Sequence, residues 1–187
     1  NSVIQLFNGI DALRQHVTPD VKMHGIITKG GVAANIVPDE AVADFYFRAS
    51  TKERVTEVIE KVKKIAEGAA LMTGATLEME RYELPYDDLK TNEKLSEMFN
   101  ENLRALGITD INPGKATGGS SDIGNVSHVA PTIHPYIGIT DCPMIGHSVE
   151  MAKATTTKKA HDRLLIAALA MAYTGYDVIV RNESLRK

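Results

Sequence analysis

Val21-Lys22-Met23-His24-Gly25-Ile26-Ile27-Thr28 and Ala41-Val42-Ala43-Asp44-Phe45-Tyr46-Phe47-Arg48-Ala49 are short runs rich in apolar, β-branched and aromatic residues. Each reads as a β-strand. Lys29-Gly30-Gly31 breaks the first run, and the loop from Gly31 to Asp39, with Pro38 near its end, leads to the second. Upstream, Val3, Leu6, Phe7, Ile10 and Leu13 recur at helical spacing. That helix should end near His16, before the turn Thr18-Pro19-Asp20. Downstream, Ser50-Thr51-Lys52-Glu53 is a capping-box pattern with Ser50 as the N-cap. Val55, Val58, Ile59, Val62, Ile65, Ala66 and Ala69 then form one apolar stripe that Gly74 stops. A third strand is expected from Ala75 to Leu84, where Leu77 and Met79 alternate with polar residues.

The order is helix, strand, strand, helix, strand. One further strand before residue 1 would complete βαββαβ, the ferredoxin-like split βαβ arrangement of an antiparallel sheet backed by two helices. The fold class is therefore α/β in the α+β sense. The helical pattern is already under way at residue 1, with no initiator Met, so a longer polypeptide is expected.

Pro85-Tyr86-Asp87-Asp88 reads as a junction, giving domains at residues 1–86 and 87–187. In the second, Thr91 or Asn92 can cap a helix through Leu106, with Gly107 ending it. Short strands are expected at 126–129 and 132–139, and a loop from Asp141 to Lys153. A last helix should start at Thr155 to Thr157 and stop before Gly175. It is apolar on all sides and is expected to be buried.

The 187 residues, 43% of them hydrophobic, suit one domain or two small ones. A net charge of −3 gives no broad basic field for nucleic acid. The longest apolar run, Leu164 to Ala172, is too short to span a bilayer, and the N-terminus lacks the basic-then-apolar pattern of a signal peptide. A single cysteine, Cys142, excludes an internal disulfide and fits a cytoplasmic location.

Three segments carry chemistry. Gly30 to Asp39 has more small and apolar residues than a surface loop needs, and Asn35 can donate to a carboxylate or carbonyl oxygen. The plainer reading is a turn in which Asn35 satisfies local backbone. Gly118-Gly119-Ser120-Ser121-Asp122-Ile123-Gly124-Asn125 lets backbone approach a ligand closely. Asp122 can serve there as a metal ligand, a helix cap or an orienter of a neighbour; the residues alone favour the last two. Gly146-His147-Ser148-Val149-Glu150 offers a loop histidine that can ligate zinc, with His134 shortly before it. Zinc takes about three or four protein ligands, and neither a His-Glu-x-x-His nor a His-x-x-x-His pair is present. For any one of the six histidines a surface or structural role is the simpler account.

In this order the segments resemble the two-zinc metallopeptidases and amidohydrolases, the family of aminoacylases, glutamate carboxypeptidases and aminobenzoyl-glutamate hydrolases. Gly31-Val32-Ala33-Ala34-Asn35-Ile36-Val37-Pro38-Asp39 followed by Phe45-Tyr46-Phe47-Arg48 is similar to the family's lid signature. Ser120-Ser121-Asp122-Ile123-Gly124-Asn125-Val126-Ser127 and Pro131-Thr132-Ile133-His134-Pro135 resemble the catalytic segment of its amidohydrolase and dipeptidase branch. Gly146 to Glu150 resembles the segment with the final metal ligand.

The resemblance implies a βαββαβ dimerisation lid followed by the C-terminal part of an α/β catalytic domain. It implies a homodimer paired through lids, two divalent metal ions, expected to be zinc, and hydrolysis of amide bonds in N-acyl amino acids, dipeptides or aminobenzoyl-glutamate-like substrates. His147 would be a metal ligand. Asn35 would reach substrate across the dimer, and Gly118, Gly119, Ser120, Ser121 and Asp122 would line the substrate pocket. Arg48 matches a lid position. The family's His-x-Asp segment, bridging Asp and Glu-Glu pair, which includes the general base, are absent from this sequence. The chain alone is therefore expected to be inactive. A non-enzymatic binding or dimerisation module of split βαβ type is the alternative that residues 1–86 alone would support. An unrelated hydrolase built on His134, Asp122 and a serine is disfavoured, since no Gly-x-Ser-x-Gly pattern occurs.

Overall fold

In the computed structural model, residues 1–113 and 119–181 are described. The chain divides into two compact units, Asn1–Asp88 and Leu89–Lys187.

The first unit opens with helix α1 (Ser2–Leu13) and a 3-10 turn, Arg14–His16. Strands β1 (Lys22–Lys29) and β2 (Val42–Arg48) follow, then helix α2 (Lys52–Thr73). The strands pair antiparallel, with Met23 opposite Phe47, His24 opposite Tyr46 and Gly25 opposite Phe45. Side chains alternate across a strand, so Met23, Phe45 and Phe47 share one face. That face and the helices enclose a core of Ile10, Val21, Met23, Val58 and Val62. On the other face Tyr46 meets Tyr82 edge-on, with ring centroids 5.6 Å apart. Glu83, as hydrogen-bond partner, raises the Tyr46 phenol pKa far above its usual value.

Side-chain ties fix the connections. Arg14 Nη2 donates to the Met23 carbonyl at 2.7 Å, holding the end of the first helical segment over β1. Asp20 accepts from Arg54 Nη1 at 2.9 Å and from Ser50. The N-cap of α2 is therefore Thr51, whose hydroxyl accepts from Arg54 N at 3.3 Å. Ser50, the expected cap, is instead drawn to Asp20. At the other end of α2, Ala75 N bonds Ala70 O and Gly74 N bonds Leu71 O, with Gly74 at φ 68°. This pair of bonds satisfies the terminal carbonyls, and the left-handed residue it requires is glycine.

No strand forms at 75–84, against expectation. Among the described residues the sheet has two strands. A third would need ladder bonds and a buried face. Leu77 and Met79, its would-be apolar face, are instead exposed, and the segment meets β2 through side chains, the Tyr46–Tyr82 ring pair and the Tyr46–Glu83 hydrogen bond.

The second unit is built on α3 (Glu93–Ala105) and α6 (Lys158–Val180), with short helices α4 (Ile123–Ser127) and α5 (Val149–Ala154) between them. Asn92 caps α3 by accepting from Leu95 N at 2.9 Å. Phe99, Leu103 and Ala170 form the core between α3 and α6, with Ile133, Ile137 and Ile166 packed against it. The expected strand at 126–129 is replaced by α4 and the turn after it, where Val129 N and Ala130 N bond back to Val126 O. At 132–139 the pairing among the described residues is a single bridge between Thr91 and Thr132. The loop from 141 to 153 contains α5, capped by Ser148.

Two expectations for α6 also fail. The helix runs through Gly175 to Val180, because its last turns are held from α3. Asn102 Nδ2 donates to Thr174 Oγ1 at 3.2 Å and to Asp177 Oδ2 at 2.9 Å, and Arg181 pairs with Glu101. Nor is α6 buried. Only Ala160, Ala170 and Thr174 are enclosed, while Leu164 and Leu165 are each 65% exposed. By length and composition alone this helix is also long and apolar enough to cross a membrane, although its longest uninterrupted apolar run is short.

Candidate functional site

In the first unit, Asn35 lies in the loop joining β1 to β2, where every residue from Gly30 to Val42 except the strand end is outside regular structure. Ile36 N donates to Ala33 O at 3.2 Å, which closes a turn with Ala34 and Asn35 at its tip. The Asn35 side chain is exposed and makes no hydrogen bond to any described residue. The plain turn reading, in which it satisfies local backbone, is therefore not what the loop displays. Beside it Val32 and Val37 are about nine-tenths exposed, at 90% and 87%. Gly30, Gly31, Val32, Ala33, Ala34, Ile36 and Pro38 line an open hollow of about 460 Å³.

In the second unit, Gly118 lies outside the described residues, and Gly119 and Ser120 are exposed in the irregular run before α4. Asp122 occupies the N-cap position of α4, but its carboxylate does not cap. The Ser121 hydroxyl performs that role, accepting from Ile123 N at 3.3 Å, and approaches Asp122 Oδ1 at 3.4 Å. Asp122 is left exposed. Ser127 anchors the segment: its hydroxyl accepts from Lys90 N at 2.8 Å and donates to Gly124 O at 2.6 Å.

His147 is exposed on the turn before α5 and is the one non-glycine residue with positive φ, 59°, among those described. Ser148 locks the turn, donating to Ile145 O at 2.8 Å and accepting from Met151 N at 3.1 Å. A side chain held in the left-handed region carries a conformational cost, and such residues gather at functional sites. His134 is exposed against Tyr136, with ring centroids 5.3 Å apart.

A metal site needs more than this. Among the described residues no three His, Cys, Asp or Glu are grouped to hold an ion. His147 offers one donor where zinc takes about three or four, so the described residues do not make a metal centre by themselves. The loop of Asn35 and the segments of Asp122 and His147 belong to different units, each positioned by its own local bonds.

Two residues that sequence reasoning passed over frame the Asn35 loop. Lys29 and Glu40 form an ion pair across its base. Opposite charges at both edges of a glycine-rich loop were the available signal. The strained turn at His147 had none, since the sequence places glycine at 146 instead.

Residues 1–73 match the family described as the peptidase dimerisation domain. The whole chain is similar to the human (Homo sapiens) protein named Xaa-Arg dipeptidase, with 33% identity over 188 residues, covering 99% of this chain and 43% of that one. The mouse (Mus musculus) protein of the same name is also 33% identical, over 97% of this chain and 42% of its own. A p-aminobenzoyl-glutamate hydrolase chain of Escherichia coli (strain K12) is 30% identical over 113 residues, 60% of this chain and 23% of that one. The chain thus spans less than half the length of the curated relatives it matches.

Proposed function

We propose that this chain, which belongs to the M20 peptidase family, supplies the dimerisation lid and the C-terminal part of the catalytic domain of a metal-dependent amide or dipeptide hydrolase. One observation carries this reading. Similarity to a dipeptidase runs through both units instead of stopping with the dimerisation domain at residue 73. The names of the relatives favour dipeptides as the substrate class, followed by aminobenzoyl-glutamate-like amides and N-acyl amino acids.

Within that reading the first unit is a ferredoxin-like βαββαβ lid, supported by its order of helix, strand, strand and helix. The lid pairs with that of a second copy. Asn35, exposed and unengaged, holds the substrate bound by the partner copy. Gly118, Gly119, Ser120, Ser121 and Asp122 line the pocket, and His147 ligates one of two zinc ions. A bound metal would polarise the scissile carbonyl and activate water. The general base and the other ligands come from outside the described residues, so the chain alone is inactive. Its single free cysteine, Cys142, supports a cytoplasmic location.

The test is an assay of the full-length protein containing this sequence. Its substrates are an Xaa-Arg dipeptide, an N-acyl amino acid and p-aminobenzoyl-glutamate, before and after complete metal removal. Hydrolysis that disappears with the metal and returns with zinc is the expected result. Activity that survives complete removal sinks the metal mechanism. A full-length protein inactive on all three, yet dimeric, would instead favour a binding or dimerisation module.

A further inference from the structure

The loop around Asn35 is closed by nested pairs. Outermost, Thr28 Oγ1 donates to Val42 O at 3.4 Å. Next inward, the Lys29 ammonium is paired with the Glu40 carboxylate. Further in, Gly31 sits at φ 126°, and a Cβ there would lie 2.8 Å from Pro38 Cγ, so backbone and proline ring meet face to face. Innermost, Ile36 N reaches Ala33 O. Asn35 stands at the tip of this ladder, its amide free of any described partner.

Each of these contacts joins one arm of the loop to the other. The loop begins at an irregularity in the sheet, since Ile27 pairs with Ala43 but Lys29 pairs with Val42. Regular strand pairing stops there, and side chains take over the closure. A glycine-rich loop of this length would otherwise sample many conformations, at an entropic cost to any ligand that must order it.

We propose that Lys29 and Glu40 are positioning residues: their ion pair clasps the base of the 30–39 loop and holds Asn35 in the orientation in which it meets substrate. This rests on the reading of Asn35 as a substrate contact. Neither residue touches substrate. Glu40 and, less strongly, Asp39 push the Lys29 pKa upward, so the ammonium stays charged throughout the neutral range. Both partners are about half exposed, so the pair adds little to global stability. Its effect is local, on the spread of conformations at the tip.

The test uses two readouts. In the 187-residue chain, Lys29→Met and Glu40→Gln should each speed amide exchange at Ile36 by about two- to fivefold, the range of an exposed ion pair. The charge-swapped double variant Lys29→Glu with Glu40→Lys should return it to the wild-type rate, and high salt should mimic the single variants. In the full-length enzyme the single variants should lower kcat/KM by a similar factor, and the swap should restore it, whereas Asn35→Ala should abolish most activity without changing exchange at Ile36. If Asn35→Ala is damaging but the single variants match wild type in both readouts, the clasp is refuted and the role of Asn35 stands. If Asn35→Ala leaves activity intact, the role of Asn35 fails and the proposal fails with it.

Discussion

Ser50 donates both its backbone N–H and its hydroxyl to one oxygen of Asp20, Oδ2, at 3.0 and 2.8 Å. The other oxygen takes the Arg54 guanidinium at 2.9 Å. One carboxylate thus ties the turn before β1 to the first turn of α2. Hydrogen bonds from Thr18 and Ser50, reinforced by Arg54, hold its pKa well below the usual carboxylate range. The folded-state pKa is depressed, so the stabilisation is present above the unfolded value of about 3.9 and lost as pH falls below it. Asp20→Asn should lower the melting midpoint of the chain at pH 7, and the gap from wild type should close between about pH 4 and the depressed folded value. A gap that stays constant down to pH 2 would show that charge is not what the carboxylate contributes.

Gly9 marks the close crossing of α1 and α2. A Cβ there would stand 2.3 Å from Ile65 Cγ2. Isoleucine on a helix is nearly fixed at χ1, so the methyl cannot turn aside. Gly9→Ala should destabilise the first unit by about 1–3 kcal/mol, the cost of overpacking, despite alanine's better helix propensity. Ile65→Ala removes the obstructing methyl. In denaturant melts the double variant Gly9→Ala with Ile65→Ala should be more stable than the sum of the singles predicts. Simple additivity would mean that the helices separate freely.

These contacts show what the sequence can and cannot disclose. The stripe Val55 to Ala69 and the alternation of Phe45 and Phe47 are readable because one buried face imposes its period on the chain. The cap at Asn92 acts on an amide three residues on, so its signal is local, whereas the short helix that Ser148 caps lies in a stretch whose sequence reads as loop. Ser50 misleads as a cap because its partner, Asp20, lies thirty positions away. The strands expected at 75–84 and 132–139 have the composition of strands, but a strand also needs a neighbour's ladder, which composition does not reveal. Asn35 and His147 stand out by resemblance to a family and by their loops. The ion pair of Lys29 and Glu40 and the left-handed turn at His147 emerge only once the backbone is traced.

Asn102 joins the two long helices of the second unit. Its amide donates to Met98 O, Thr174 Oγ1 and Asp177 Oδ2 at 3.1, 3.2 and 2.9 Å. Asp177 is mostly covered and also faces Arg181 at 3.5 Å. Asn102→Ala removes a donor to a charged acceptor, a loss of about 1.5–3 kcal/mol. It should fray the end of α6 first, where Gly175 weakens the helix. Exchange at amides after Thr174 should therefore rise more than at Ala170, which is fully enclosed. Equal acceleration along the whole helix would refute a role confined to its end.

His147 sets fold stability against the proposed function. Its φ of 59° costs a side-chain-bearing residue about 1 kcal/mol relative to glycine. The bonds of Ser148 hold the turn, but the imidazole itself repays none of that cost, since the side chain is exposed and no grouped ligands are near it among the described residues. His147→Gly should therefore leave the 187-residue chain as stable as wild type or raise its stability by up to about 1 kcal/mol. His147→Val, branched at Cβ, should lower it. In the full-length enzyme both variants should lose one equivalent of bound zinc and most activity, as measured by metal content after dialysis and by dipeptide hydrolysis. Opposite effects on stability with the same effect on metal content would separate the strain of the turn from the chemistry of the imidazole. If His147→Gly keeps its full zinc content and activity, the ligand lies elsewhere, and the strained turn needs another explanation.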